Sequence, residues 1–174
     1  MFDFSGIVPK NDDERFMLEA LKQAKLAYHK GEVPVGAVVV HQGKVIARGH
    51  NQVELLKDAT AHAEMICLTS AAAALEEWRL LDTTLYCTLE PCAMCLGAVL
   101  LSRVKTLVWG APDVRQGANG SWIDLLKTPH PIHTLEVRKG VFEDISASLM
   151  KRFFQERRLL AKDPPHGNSS GYTA

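Results

Sequence analysis

Between Asp12 and Lys30 the apolar residues Phe16, Met17, Ala20, Leu21, Ala24, Ala27 and Tyr28 recur at helical spacing. With Asn11 or Asp12 as N-cap and Gly31 as the stop, the pattern predicts one amphipathic helix. Val35 to Val40 and Val45 to Arg48 are β-branched runs joined by His41-Gln42-Gly43-Lys44, which predicts an antiparallel hairpin. Asn51 to Ala59 is aperiodic. Ala61 to Leu75 reads as an Ala-rich helix with Asp58 or Thr60 as its N-cap. Thr84 to Leu89 reads as a strand, Pro91 suits the first turn of a helix running to about Ser102, and Val104 to Trp109 is a second buried strand. Strand, helix and strand in that order imply parallel pairing. Ala111 to Gly120 reads as a long functional loop, Trp122 to Leu126 as a short helix, Leu135 to Lys139 as a strand, and Ser146 to Leu160 as the last helix. Beyond Asp163 the run Pro-Pro-His-Gly-Asn-Ser-Ser-Gly has nothing to bury. The expectation is one domain over 1–162 and a disordered tail over 163–174. Its fold class is α/β, a mixed sheet of about five strands with helices on both faces in a three-layer α/β/α sandwich.

Composition narrows the class without naming a function. A chain of 174 residues with 47% hydrophobic and 23% charged residues is an ordinary globular length and balance. Disorder, collagen and membrane-protein readings are excluded, since no apolar run approaches the roughly 20 residues that span a bilayer. Twenty Lys and Arg against twenty Asp and Glu give zero formal charge, so any nucleic-acid partner must be met by a local patch. Met1-Phe2-Asp3-Phe4-Ser5-Gly6 lacks a basic stretch followed by an apolar one, so a cytoplasmic location and reduced cysteines are expected.

The chemistry concentrates in two short segments. His62-Ala63-Glu64 stands near the start of one helix and Pro91-Cys92-Ala93-Met94-Cys95 at the start of another. Cys92 and Cys95 present their sulfurs on one helix face, and a helix N-terminus favours the thiolate form that binds metal. Structural zinc sites close with four protein ligands, whereas hydrolytic ones keep a position for water, so the trio His62, Cys92 and Cys95 points to catalysis. Glu64, about 200° around a helix from His62, is placed as an acid/base beside the metal, an arrangement suited to hydrolytic deamination of a nucleobase. Cys67 and Cys87 sit in apolar surroundings and are read as packing. A thioredoxin-like reading of Cys92-x-x-Cys95 leaves His62 and Glu64 without a role.

His-x-Glu followed by Pro-Cys-x-x-Cys is the known signature of the zinc deaminases. With it stand Glu32-Val33-Pro34-Val35-Gly36-Ala37-Val38, Asn51, Asp58-Ala59-Thr60-Ala61, Thr88-Leu89-Glu90, Gly117-Ala118-Asn119-Gly120-Ser121 and Phe153-Phe154-x-x-Arg157-Arg158. On these segments the chain resembles the tRNA-specific adenosine deaminases, the TadA type, over roughly residues 14 to 160. The resemblance implies a cytidine-deaminase-like fold and a homodimeric hydrolase that converts adenosine to inosine at the wobble position of a tRNA anticodon. One zinc per chain would sit on His62, Cys92 and Cys95, with Glu64 as proton shuttle. Asn51 would hydrogen-bond the flipped nucleotide, Val33, Pro34 and Ala63 would line its pocket, and Asp113 would face the RNA. The chain departs from the family pattern at Leu56-Lys57, Ala59, Pro112 and Arg115.

Plainer readings stand beside these. Asn51 and Asp113 are ordinary turn residues, Phe153-Phe154 is an ordinary core pair, and His130 and His133 lie in a Pro-rich loop. On the last helix Lys151, Arg152, Arg157, Arg158 and Lys162 stand against the single acid Glu156; of these Lys151, Arg152, Arg157 and Arg158, with Arg115, are the expected RNA contacts, a solvated face being the alternative. Two other functions remain open on sequence alone: deamination of a free base or nucleoside of the guanine or cytosine type, and a non-catalytic zinc-stabilised RNA-binding module.

Overall fold

The computed structural model describes residues 2–162, so the expected tail from Asp163 onward lies outside the described residues. Helix α1 spans Asp12–His29, capped by the Asn11 side chain, which accepts from the Glu14 N–H at 2.9 Å. Strands β1 (Gly36–His41) and β2 (Lys44–His50) form the expected hairpin, turning through Gln42 and Gly43 with φ of 49° and 71°. A four-residue helix, α2 (Val53–Leu56), follows; then come α3 (Ala63–Leu75), β3 (Thr83–Leu89), α4 (Ala93–Leu101) and β4 (Thr106–Ala111). Strand β5 (Glu136–Lys139) and helix α5 (Glu143–Lys162) complete the element order.

The five strands run in the order β2-β1-β3-β4-β5. Strand β1 is antiparallel to β2 and β3, while β3 with β4 and β4 with β5 are parallel, so the β3-α4-β4 crossover is the parallel unit that the pattern predicts. Strand period two sorts the core into layers. Ala37, Val39, Leu85 and Leu107 pack with Cys67, Leu68, Leu96 and Val99 of α3 and α4. Val38, Val40, Tyr86 and Val108 turn to the other face and meet Phe16, Met17 and Ala20 of α1. Helix α5 joins α1 there, with the Phe153 ring 5.9 Å from that of Tyr28. The sandwich is therefore closed on both faces. Fully buried leucines such as Leu21, Leu85, Leu96 and Leu107 each contribute about 1.5–3 kcal/mol relative to exposure.

Four expectations are corrected. The cap of α3 is His62 and neither Asp58 nor Thr60. Asp58 instead accepts from the Thr60 N–H and hydroxyl at 2.8 and 2.7 Å, closing a turn before the helix starts. Pro91 precedes the α4 cap, Cys92, and is outside the first turn. Trp122 to Leu126 is not a helix: the backbone pairs across a tight loop, Gly120 N–H to Ile123 carbonyl at 2.9 Å and Leu125 N–H to Ala118 carbonyl at 3.0 Å. Five residues form too few helical bonds to offset nucleation against such pairing. Finally, α5 begins at Glu143, three residues ahead of Ser146, and puts Glu143 and Asp144 in its first turn, where acids are favoured.

Candidate active site and metal centre

The parallel strands end on the same side, and the segments after them converge there, as expected for an open α/β sheet. Glu90, Pro91 and Cys92 follow β3, and the loop from Pro112 follows β4. His62 and Cys92 occupy equivalent places as the N-caps of α3 and α4, both with extended backbone and neither spending its side chain on the cap. Cys95 stands one turn into α4. The His62 Nδ1 lies 3.6 Å from the Cys92 Sγ and 3.5 Å from the Cys95 Sγ, and the three donor atoms lie within 4.8 Å of one another. Bonds of about 2.3 Å from sulfur and 2.0 Å from nitrogen meeting at a tetrahedral angle place those atoms about 3.5 Å apart. The borderline-soft donor set and its spacing therefore fit zinc.

Proton sharing within the trio has the same sense. A hydrogen bond from the Cys95 thiol, reinforced by His62, brings the Cys92 thiol down to about 4, and the same bond holds the Cys95 proton in place. The bond to Cys92 also raises His62. Glu64 is 4% exposed, and burial pushes its carboxyl above the usual carboxylate range, a condition suited to a group that takes and returns a proton. Cys67 and Cys87 are fully buried, and burial raises Cys67 to about 12 and pushes Cys87 well above the usual thiol range, so both are inert thiols apart from the donor group.

His62, Glu64 and Cys92 line a cavity of about 360 Å³ whose other wall carries Val33, Asn51, Val53, Asp113, Arg115 and Phe154. Of the expected pocket residues, Val33, Asn51 and Asp113 are therefore at the cavity, while Pro34 and Ala63 are buried and do not line it. The Asp113 side chain accepts from the Arg115 N–H at 3.0 Å, so it is also the turn residue of the plainer reading. Arg115 reaches the rim. The basic residues of α5 are mostly engaged: Arg157 donates to the Gly31 carbonyl and lies over the Phe153 ring, Arg152 pairs with Glu156 at 2.9 Å, and Arg158 donates to its own helix at Phe154. Lys151 is exposed. His130 and His133 do not line the cavity, and His133 bonds the Val104 carbonyl at 2.7 Å.

Two buried carboxylates at the cavity carry no expected role from sequence. Glu32, 1% exposed, accepts from Asn51 Nδ2 at 3.1 Å and from the N–H groups of Glu54 and Leu55 at 3.2 and 2.7 Å. Glu90, 2% exposed, accepts from the N–H groups of Asp113, Asn119 and Ser121 at 3.1, 2.8 and 3.2 Å and from the Ser121 hydroxyl. Burying a carboxylate costs several kcal/mol, which three or four charge-assisted bonds of about 1.5–3 kcal/mol each offset. Gly117 is required beside Glu90, because a Cβ there would stand 2.5 Å from the carboxylate carbon. The sequence signal for both acids is a single charge set against an apolar strand end or a proline.

An α/β/α sandwich with metal-type donors and a buried proton-transfer group at two helix starts defines a class, the zinc-dependent hydrolytic deaminases. The family model for the cytidine and deoxycytidylate deaminase zinc-binding region matches residues 10–111. A tRNA-specific adenosine deaminase of Bacillus subtilis is 49% identical over 150 residues, covering 86% of this chain and 93% of that protein. The chloroplastic tRNA(adenine(34)) deaminase of Arabidopsis thaliana is 55% identical over 83% of this chain, which spans only 12% of that much longer protein. A solved chain from work on A-to-I editing by tRNA:A34 deaminases is 41% identical with a TM-score of 0.74, covering 78% of this chain and 98% of that one. A guanine deaminase of Nitrosomonas europaea is 26% identical with a TM-score of 0.71, over 80% of this chain and 83% of that one. The chain belongs to the cytidine and deoxycytidylate deaminase family, in the branch of the tRNA-specific adenosine deaminases.

Proposed function

We infer that the protein deaminates adenosine to inosine at the wobble position of a tRNA anticodon, carried by one domain over 1–162, as a cytoplasmic homodimer with one zinc per chain. The observation that carries the reaction is a single cavity wall made by His62, Cys92 and the buried carboxyl of Glu64. The choice of substrate rests on 49% identity to a tRNA-specific adenosine deaminase over nearly its whole length, against 26% to a guanine deaminase structure. Among the described residues no helix is long and apolar enough to cross a membrane.

His62 Nδ1, Cys92 Sγ and Cys95 Sγ would hold the metal. When bound, zinc supplies the Lewis acidity that makes water nucleophilic near neutral pH. Glu64 takes the proton of the attacking water and returns it toward the departing amine at C6 of the base, so that water adds and ammonia leaves. Its burial keeps bulk water from taking over that exchange. Asn51 hydrogen-bonds the extruded nucleotide, and Val33 and Phe154 supply apolar contact to it, with Asp113 and Arg115 toward the flanking RNA. Extrusion from the anticodon loop costs a few kcal/mol, which contacts to neighbouring nucleotides offset. Free adenosine lacks those contacts and is expected to be a poor substrate.

The test is incubation of purified, metal-analysed protein with an anticodon stem-loop carrying A at the wobble position, followed by nucleoside analysis. Inosine in the stem-loop, with zinc at about one per chain and little conversion of free adenosine, guanine or cytosine, is the expected result. Conversion of a free base with RNA neither converted nor competing would assign the site to a small molecule.

A further inference from the structure

Glu32 stands where a helix normally ends on an apolar contact. The C-terminus of α1 closes with the Gly31 N–H on the Tyr28 carbonyl and the Glu32 N–H on the Ala27 carbonyl, both at 3.0 Å, with Gly31 at φ 76°. That is the Schellman arrangement, whose residue two past the cap usually packs an apolar side chain back on the helix. Here it is a carboxylate at 1% exposure, lining the cavity. Arg157 of α5 secures the same turn from outside by donating to the Gly31 carbonyl. The turn is thus held from both sides.

All three groups bonded to Glu32 are N–H donors: the Asn51 amide and the backbone of Glu54 and Leu55. A carboxylate offers only acceptors, so the Asn51 amide must turn its NH2 toward Glu32, which leaves Oδ1 as the other end of the group. Asn51 lines the cavity, no donor among the described residues reaches Oδ1, and Asn51 is absent from the buried atoms left without a partner. Its oxygen is therefore open to the cavity. The same carboxylate sits at the N–H groups that begin α2, whose Val53 and Glu54 form the adjoining wall.

We propose that Glu32 is a positioning residue: it locks the Asn51 amide so that the cavity wall facing His62 and Glu64 presents a hydrogen-bond acceptor to a donor on the substrate. The proposal rests on the assignment of Asn51 to substrate binding made above. It adds a direction, because an acceptor at Oδ1 selects an N–H or O–H on the nucleotide at that place. Without Glu32 the amide has no reason to prefer one face over the other.

The test exchanges the two groups. In Glu32→Gln the Oε1 can still accept from Leu55, but an NH2 replaces the oxygen that met both Asn51 and the Glu54 N–H, so the Asn51 amide flips and turns a donor to the cavity while the Glu54 N–H loses its acceptor. KM for the stem-loop is expected to rise about tenfold, with kcat changed less, as for a lost interaction common to ground and transition states. Asn51→Asp alone sets two carboxylates face to face and is expected to raise KM at least as much. Combining Glu32→Gln with Asn51→Asp restores an amide-to-carboxylate bond with an oxygen still facing the cavity, and KM should return to within about threefold of the parent. A double exchange as impaired as the product of the single effects overturns the proposal. A second pair asks the same question without a charge at position 51: Glu32→Gln should add less than about twofold to the KM of Asn51→Ala. A full multiplicative penalty there overturns the proposal too, since a residue that merely holds the fold would add its cost whatever stands at 51. Metal content and thermal unfolding of each variant accompany the kinetics. If the parent forms no inosine, the tRNA assignment falls by itself, and the same ratios are read on the free base that it does convert.

Discussion

The two walls of the cavity are built on opposite plans. On one side His62, Glu64 and Cys92, with Cys95 buried beside them, come from the starts of two helices packed on the central strands, so their positions follow from backbone that the core has already fixed. On the other side Asn51, the short α2 and the loop after β4 come from segments with little regular structure, tied in by buried Glu32 and Glu90, and Phe154 reaches in from α5, which Arg157 ties to Gly31. The first wall does the bond-making and needs rigidity. The second meets a polymer and is shaped by side chains that accept backbone hydrogen bonds. Substitutions on the first should act on kcat, and those on the second on KM.

The largest effect is expected from Glu64→Gln. The amide keeps the size of the carboxyl but cannot carry the proton, so kcat should fall by about 10²–10⁴ while metal content and folding are retained. Single-turnover inosine formation beside metal analysis checks this, and a rate near that of the parent would remove Glu64 from the chemistry. Cavity size and donor spacing are untouched, so loss of zinc in this variant would equally break the contrast between the walls.

Glu90→Gln probes the other wall and should act more gently. The Gln oxygen can still accept from Asn119 and Ser121, but its NH2 faces the Asp113 N–H, which now lacks an acceptor. Releasing one end of the loop costs about 1–3 kcal/mol of stability and should raise KM for the stem-loop several-fold with a smaller change in kcat. Steady-state kinetics at fixed salt separate the two constants. A fall confined to kcat would mean that Glu90 serves the donor wall through Pro91 and Cys92.

The same division explains what was legible in the sequence. Strands β1, β3 and β4 follow from apolar, β-branched runs buried on both faces of the sheet, α1 from period 3.6 and α3 from its Ala-rich run, and the His62, Cys92 and Cys95 spacing is local to two helix starts. Helix α2 escaped, since its four residues show no period and its first N–H groups are satisfied by Glu32, some twenty positions away in sequence. The Trp122 to Leu126 segment misled for the converse reason: its apolar spacing suits a helix, yet Gly120 lets the backbone pair across a loop. Nothing local marks Glu32 or Glu90 as anchors, because each acts on amides about twenty to thirty positions downstream.

The smallest effect, and the one that most sharpens the comparison, concerns the charges of α5. Four of its basic residues were expected to meet phosphate, but Arg157 is committed to the Gly31 carbonyl and the Phe153 ring, and Arg152 to Glu156. Lys151 is exposed and has no partner among the described residues. A side chain that neutralises a phosphate contributes about 0.7–0.9 to the slope of log affinity against log salt. Lys151→Ala should therefore flatten that slope for stem-loop binding by about that amount, with no change in melting temperature. Arg157→Ala should leave the slope unchanged and lower stability by about 1 kcal/mol, the scale of one hydrogen bond with an exposed cation–π contact. Titrations by fluorescence anisotropy at several salt concentrations, beside thermal melts, read both quantities. Equal flattening by the two variants would show that Arg157 leaves Gly31 for the RNA, and that the turn carrying Glu32 is freed whenever substrate binds.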